Sequence, residues 1–153
     1  MADLGVCVVL QPDFVRLPQF AHAASIPGLA NMPLRDLLDG GVQVAGSSDF
    51  PVAGFNPLDG IRSAVTRRTV LGHQLEPEQC ISLPEAVALY TRNAARTVGS
   101  LAEKGSLEPG KRADLIVLDR ALDLTTLDRV QVAATLRSGT LIAGALPLPT
   151  GKK

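Results

Sequence analysis

One carboxylate, Asp49, closes a turn of small residues at the end of an apolar run, Gly41-Val-Gln-Val-Ala-Gly-Ser-Ser-Asp-Phe-Pro51. An acid so placed can ligate a cation or accept the proton of an attacking water. Asp after Ser-Ser is also a common turn former or helix cap, and spacing alone does not choose between these roles. The chain's two histidines, His22 and His73, make no His-x-His pair, and Cys7 and Cys80 make no Cys-x-x-Cys. A lone His in a loop is expected to be solvated or capping, with metal ligation as the alternative for His22. Two unmotivated cysteines read as buried thiols rather than a disulfide or a metal site.

The apolar run Val42–Ala45, opened and closed by small residues, predicts a buried strand of a parallel sheet, whose carboxyl ends commonly hold catalytic groups. Leu4–Leu10 predicts a second buried strand. Residues 12–32, with Pro12, Pro18, Pro27 and Gly28, predict a long loop or a broken helix, of the kind often tied to function. A short helix over 33–39, stopped by Gly40, leads into the Asp49 strand. Asn56 should cap a helix with Pro57 at its first position, Leu58, Ile61 and Val65 inward, Arg67 and Arg68 near its end and Gly72 as its stop. Ser82-Leu-Pro-Glu85 is a capping box opening a helix to about 97 with a Leu83, Val87, Tyr90, Ala94 stripe. Thr91, Arg92 and Asn93 then fall on its solvated side. This alternation predicts an α/β fold.

After residue 100 the pattern changes to hairpins. Pro109-Gly110 suits a type II turn. Residues 113–119 predict a strand, and 130–137 with 140–144 a hairpin about Ser138-Gly139. The tail 146–153 is expected to be loose. The reading divides the chain into 1–100 and a small β segment, 101–153.

Composition narrows the partners. Of 153 residues 46% are hydrophobic and 3% aromatic, so the core must be aliphatic. Lys plus Arg equals Asp plus Glu at 15 each, with no basic block, which argues against nucleic acid or an anionic membrane as partner. No apolar run approaches the about 20 residues of a membrane span, and Asp3 stands where a signal peptide needs positive charge. A reducing cytoplasmic setting suits the cysteines.

Gly46-Ser-Ser-Asp-Phe-Pro51, Ala64-Val-Thr-Arg-Arg68, Tyr90-Thr-Arg-Asn-Ala-Ala95, Gly105 to Asp119 and Thr135 to Gly139 together resemble the C-terminal portion of the metal-dependent amidohydrolases. The branch is family 3, which includes N-substituted formamide deformylase-like and exoenzyme-regulator-like proteins. The resemblance implies the last strands and helices of a TIM-type barrel, with Leu4–Leu10 as its penultimate strand, followed by a small β-sandwich segment. It implies a hydrolase of carbon–nitrogen bonds in small amides, using a divalent metal, zinc being the expected ion. Asp49 takes the family's position for metal ligand and proton acceptor.

The family builds its site mainly from histidines, with a His-x-His pair on the first strand and often a carboxylated lysine. None of those positions is matched by His22 or His73. The chain is therefore expected either to be part of a longer enzyme or to be a reduced protein that dimerises, or recruits a partner, to cover its strand edges. Whether it is itself an enzyme stays open, the alternative being a non-catalytic α/β assembly module that holds no metal.

Overall fold

Strands β1 (Cys7–Leu10) and β2 (Gln43–Gly46) run parallel, in register from Cys7 opposite Gln43 to Leu10 opposite Gly46. Parallel strands cannot be joined by a tight turn; here the crossover carries α1 (Pro18–Ala23) and α2 (Leu34–Asp39). The computed structural model describes residues 1–23 and 32–146, the side chains of 21–23 excepted. The expected loose tail beyond 146 lies outside those residues.

The two strands differ in cover. Val44 and Ala45 of β2 are buried, with α2, α4 (Leu83–Tyr90) and α5 (Arg92–Thr97) packed around them. β1 alternates exposed and half-buried residues, which corrects the expectation of a buried strand. Its outer edge pairs with nothing among the described residues. Cys7 is accordingly an exposed free thiol and Cys80 a half-buried one, not the two buried thiols expected. Of the two alternatives for 12–32, the described part follows the broken helix: a 3-10 turn, Pro12–Arg16, with Pro12, Asp13, Phe14 and Val15 buried, runs into α1, and 24–31 lie outside the described residues.

α3 (Pro57–Thr66) begins as the sequence predicts. The Asn56 side chain accepts from Leu58 N at 3.1 Å, and Leu58 and Ile61 are buried. Its end differs. The helix stops at Thr66 because Arg67 turns left-handed (φ 50°), six residues short of the expected Gly72. Nor does Arg67 serve the helix dipole from the surface: it is fully buried.

α4 opens on the predicted capping box. The predicted single helix to about 97 is broken at Thr91 (φ −122°, ψ −101°), and α5 continues at an angle. The break turns Asn93 inward, where its Nδ2 donates to Val44 O at 2.9 Å. Asn93 is thus not on a solvated face; it satisfies a carbonyl of β2.

The second sheet is antiparallel, in the order β3 (Leu115–Leu118), β4 (Val132–Arg137), β5 (Thr140–Gly144). Ser138 (φ 49°) and Gly139 (φ 79°) make the β4–β5 turn. Asp114 accepts from Ser138 N at 2.8 Å, so this acid of the family-like stretch ties the hairpin rather than doing chemistry. One apolar cluster gathers Leu34, Val44, Leu58, Ile61, Ile81 and Leu89 with Leu127 and Val130 from the segment before β4.

The capping box yields a pH prediction. Glu85 accepts from Ser82 N at 2.8 Å and Ser82 Oγ at 2.6 Å, and from Arg35 Nη1 at 2.9 Å. The Ser82 hydroxyl, then the Ser82 N–H and Arg35, hold its carboxyl below the usual range. A depressed pKa contributes stability above the unfolded value and loses it as pH falls through the folded one. Glu85→Gln keeps the capping-box geometry and removes the charge, and is expected to cost about 0.5 kcal/mol near neutral pH. Urea midpoints measured from about pH 7 to about pH 3 should show the gap to wild type narrowing with acid.

Candidate functional site

The register of the parallel pair brings two acids to one end of the sheet. Leu10 and Gly46 are opposite one another and end their strands, and Ser47 N donates to Leu10 O at 2.8 Å. Asp13 and Asp49 each stand three residues further on. Both therefore lie past the carboxyl ends of parallel strands, where ligands of such sheets bind.

Asp49 sits in the left-handed region (φ 51°), which Asp and Asn tolerate better than other non-glycine residues. It is exposed, its own N–H donating to Ser47 Oγ at 3.4 Å. The following loop, 50–56, carries Phe50 and Phe55, 63% and 78% exposed and in edge contact with centroids 5.6 Å apart. They do not fill the core; each borders a cavity at this end of the sheet.

Asp13 is the residue that sequence reasoning missed. Its side chain is 13% exposed. It accepts from Ser63 Oγ of α3 at 2.7 Å, and Arg16 Nη1 lies 3.4 Å away, shared with Asp59 at the same distance. The usable signal was its spacing: it follows β1 by the same interval as Asp49 follows β2.

Two cavities open beside these acids. One, about 260 Å³, runs along Asp13, Gly46, Ser47, Ser48, Asn56 and Tyr90. The other, about 400 Å³, is bounded by Asp13, Arg16, Phe50, Val52, Asp59 and Val70. Asp13 borders both. The Tyr90 ring lies between Gly46 and Gly60, and burial, then the Asp13 charge, push its hydroxyl pKa up, so it stays protonated. A more apolar cavity of about 490 Å³ lies apart from them, between α5 and β3.

Among the described residues no three His, Cys, Asp or Glu side chains gather as metal ligands. His73 is exposed and borders a separate cavity with Thr69 and Leu71; the His22 side chain lies outside the described residues. The donor set of the described residues thus does not by itself fit a catalytic zinc, which takes three protein ligands. No described helix is long and apolar enough to cross a membrane.

Comparison with known proteins agrees with this topology. The family model described as "Amidohydrolase family" matches residues 1–146. N-substituted formamide deformylase of Arthrobacter pascens is 37% identical over 148 residues, covering 92% of this chain and 27% of that protein. A metal-dependent hydrolase from Pyrococcus horikoshii superposes with a TM-score of 0.64 at 26% identity, over 78% of this chain and 25% of that one. For the fold alone, a zinc-bound adenosine deaminase from Xanthomonas campestris reaches a TM-score of 0.67 at 20% identity, over 92% and 32% of the two chains. The chain thus spans about a quarter of the length of the curated relative. With the family model matching nearly its whole length, this α/β chain belongs to the amidohydrolase family.

Proposed function

We propose that this chain is the C-terminal part of a metal-dependent hydrolase of carbon–nitrogen bonds in small, non-peptide amides. Residues 1–100 supply the closing elements of its barrel and 101–153 a β-sandwich segment. Asp49 is its metal ligand and the acceptor of the attacking water's proton. The observation that carries this is an acid past the end of β2, beside a parallel neighbour, in a chain matched along its length by the amidohydrolase family. The remaining ligands, imidazoles in this family, come from polypeptide outside this sequence.

A divalent ion in such a site acidifies water and polarises the carbonyl. This chain's own part is narrower. Asp49 presents an exposed carboxylate on a short turn, whose backbone is held by bonds to Ser47 and Val52. The bare outer edge of β1 is where the preceding barrel strand pairs, which a two-stranded sheet with exposed Val9 requires for burial.

Asp49→Asn is the clean variant, because Asn also tolerates φ 51°. In the polypeptide that carries the upstream reading frame, assayed with zinc on N-formyl and N-acyl amines, it is expected to lower kcat by about 10³-fold. Unchanged turnover there would sink the role of Asp49. The 153-residue chain alone is expected to retain no stoichiometric zinc through dialysis and to show no turnover. Activity of the short chain that disappears in Asp49→Asn would overturn the fragment reading.

A further inference from the structure

Asp13 is used by nothing above, and only one of its two carboxylate oxygens is engaged by donors among the described residues. An ionised carboxylate offers about four acceptor positions. Here one oxygen takes a good hydrogen bond, from Ser63 Oγ at 2.7 Å, and the same oxygen faces Arg16 at 3.4 Å. That is long beside the about 2.8 Å of a charge-assisted N–H to carboxylate bond. Arg16 is also divided with Asp59, itself 2.6 Å from Arg62. The second oxygen, Oδ2, meets no donor among the described residues. That oxygen is not among the buried polar atoms left without a partner, so it opens to solvent, where a ligand donor can reach it.

The position of Asp13 says where that donor comes from. It borders both cavities at the mouth end of the sheet, one of about 260 Å³ and one of about 400 Å³. The larger has an apolar wall of Leu17, Phe50, Pro51, Val52 and Val70. A small molecule with an aliphatic body fits against that wall with a nitrogen at Asp13.

We propose that Asp13 is a specificity residue whose carboxylate accepts a hydrogen bond from an amine or ammonium N–H of the ligand. The proposal rests on the reading of this end as substrate-facing. It gives the enzyme a preference for substrates, or amine products, that carry a basic nitrogen beside an apolar chain. An anionic group at the same place meets Asp13 and Asp59 and is disfavoured.

The test uses the 153-residue chain, since both cavities are built from it alone. Butylammonium, titrated by amide NMR, is expected to shift Asp13, Gly54 and Ser63 saturably. Its neutral isostere butanol should bind at least tenfold more weakly, and Asp13→Asn should weaken butylammonium at least tenfold. Equal binding of the two probes, absence of saturation, or an unchanged Asp13→Asn overturns the proposal. Should that variant lose its fold, Ser63→Ala serves: it keeps the carboxylate, frees Oδ1, and is expected to bind butylammonium at least as tightly; weaker binding counts against it. Asp49→Asn is expected to leave amine binding unchanged. Amine binding by this chain, with no hydrolase activity in the polypeptide that carries the upstream reading frame, therefore sinks the functional reading alone, and activity there without amine preference sinks only this one.

Discussion

Arg67→Met is expected to remove about 3–5 kcal/mol of stability, enough to leave a chain of ordinary stability, about 5–15 kcal/mol, largely unfolded. The guanidinium is fully buried. Its Nε donates to Leu75 O at 3.0 Å, its Nη1 to Met32 O at 3.0 Å, and its Nη2 to Glu76. Burial lowers its pKa, with Glu76 opposing, yet a guanidinium stays charged throughout the accessible range. Methionine keeps much of the stem's volume but takes a donor away from two carbonyls and from the largely buried Glu76 carboxylate (19% exposed). Arg67→Lys keeps the charge and loses the planar fork that reaches Leu75, Met32 and Glu76, so it should recover only part. Urea midpoints with unchanged slope report the loss. Amide exchange at Leu75, whose N–H donates to Arg67 O at 2.9 Å, should accelerate most. A midpoint shift below about 1 kcal/mol would show that these bonds carry little net stability.

Gly60→Ala should destabilise although it sits within a helix, where Ala is ordinarily better than Gly by about 1 kcal/mol. A Cβ at Gly60 would lie 1.9 Å from the Tyr90 hydroxyl oxygen and 2.7 Å from Cζ. At Gly46 it would lie 2.5–2.8 Å from three ring carbons of the same side chain. Overpacking of this kind costs about 1–3 kcal/mol, so the clash outweighs the helix gain. The contacts separate the two sites. Tyr90→Phe removes the atom that a methyl group at position 60 meets first, so Gly60→Ala with Tyr90→Phe should recover part of the loss. Gly46→Ala with Tyr90→Phe should recover none, because the ring carbons remain. Double-mutant cycles on urea midpoints measure both couplings; equal coupling in the two cycles would refute the seating of the ring.

What was legible in the sequence was local. Asn56-Pro57 and Ser82-Leu-Pro-Glu85 set helix starts through bonds within four residues, and both are found. The turn at Ser138-Gly139 and the α/β pairing of the runs around 7–10 and 43–46 are found likewise. What was not legible depends on residues distant in sequence. Arg67 reads as a helix-end cation until Met32 and Glu76 surround it. Asn93 reads as a surface residue until the break at Thr91 points it at Val44. β1 reads as buried because Val8, Val9 and Leu10 need cover, and no strand of the described chain provides it on the outer side. At the site, the Asp49 turn was visible from its small residues. Asp13 was not, because its value comes from Ser63, fifty residues away.

Under the role proposed for Asp49, its left-handed backbone sets folding and chemistry against each other. Holding a non-glycine residue there costs on the order of 1 kcal/mol, which glycine would recover at once. A library of this chain sorted for thermal robustness alone would therefore drift toward Asp49→Gly, discarding the carboxylate at position 49 in exchange for a tighter fold.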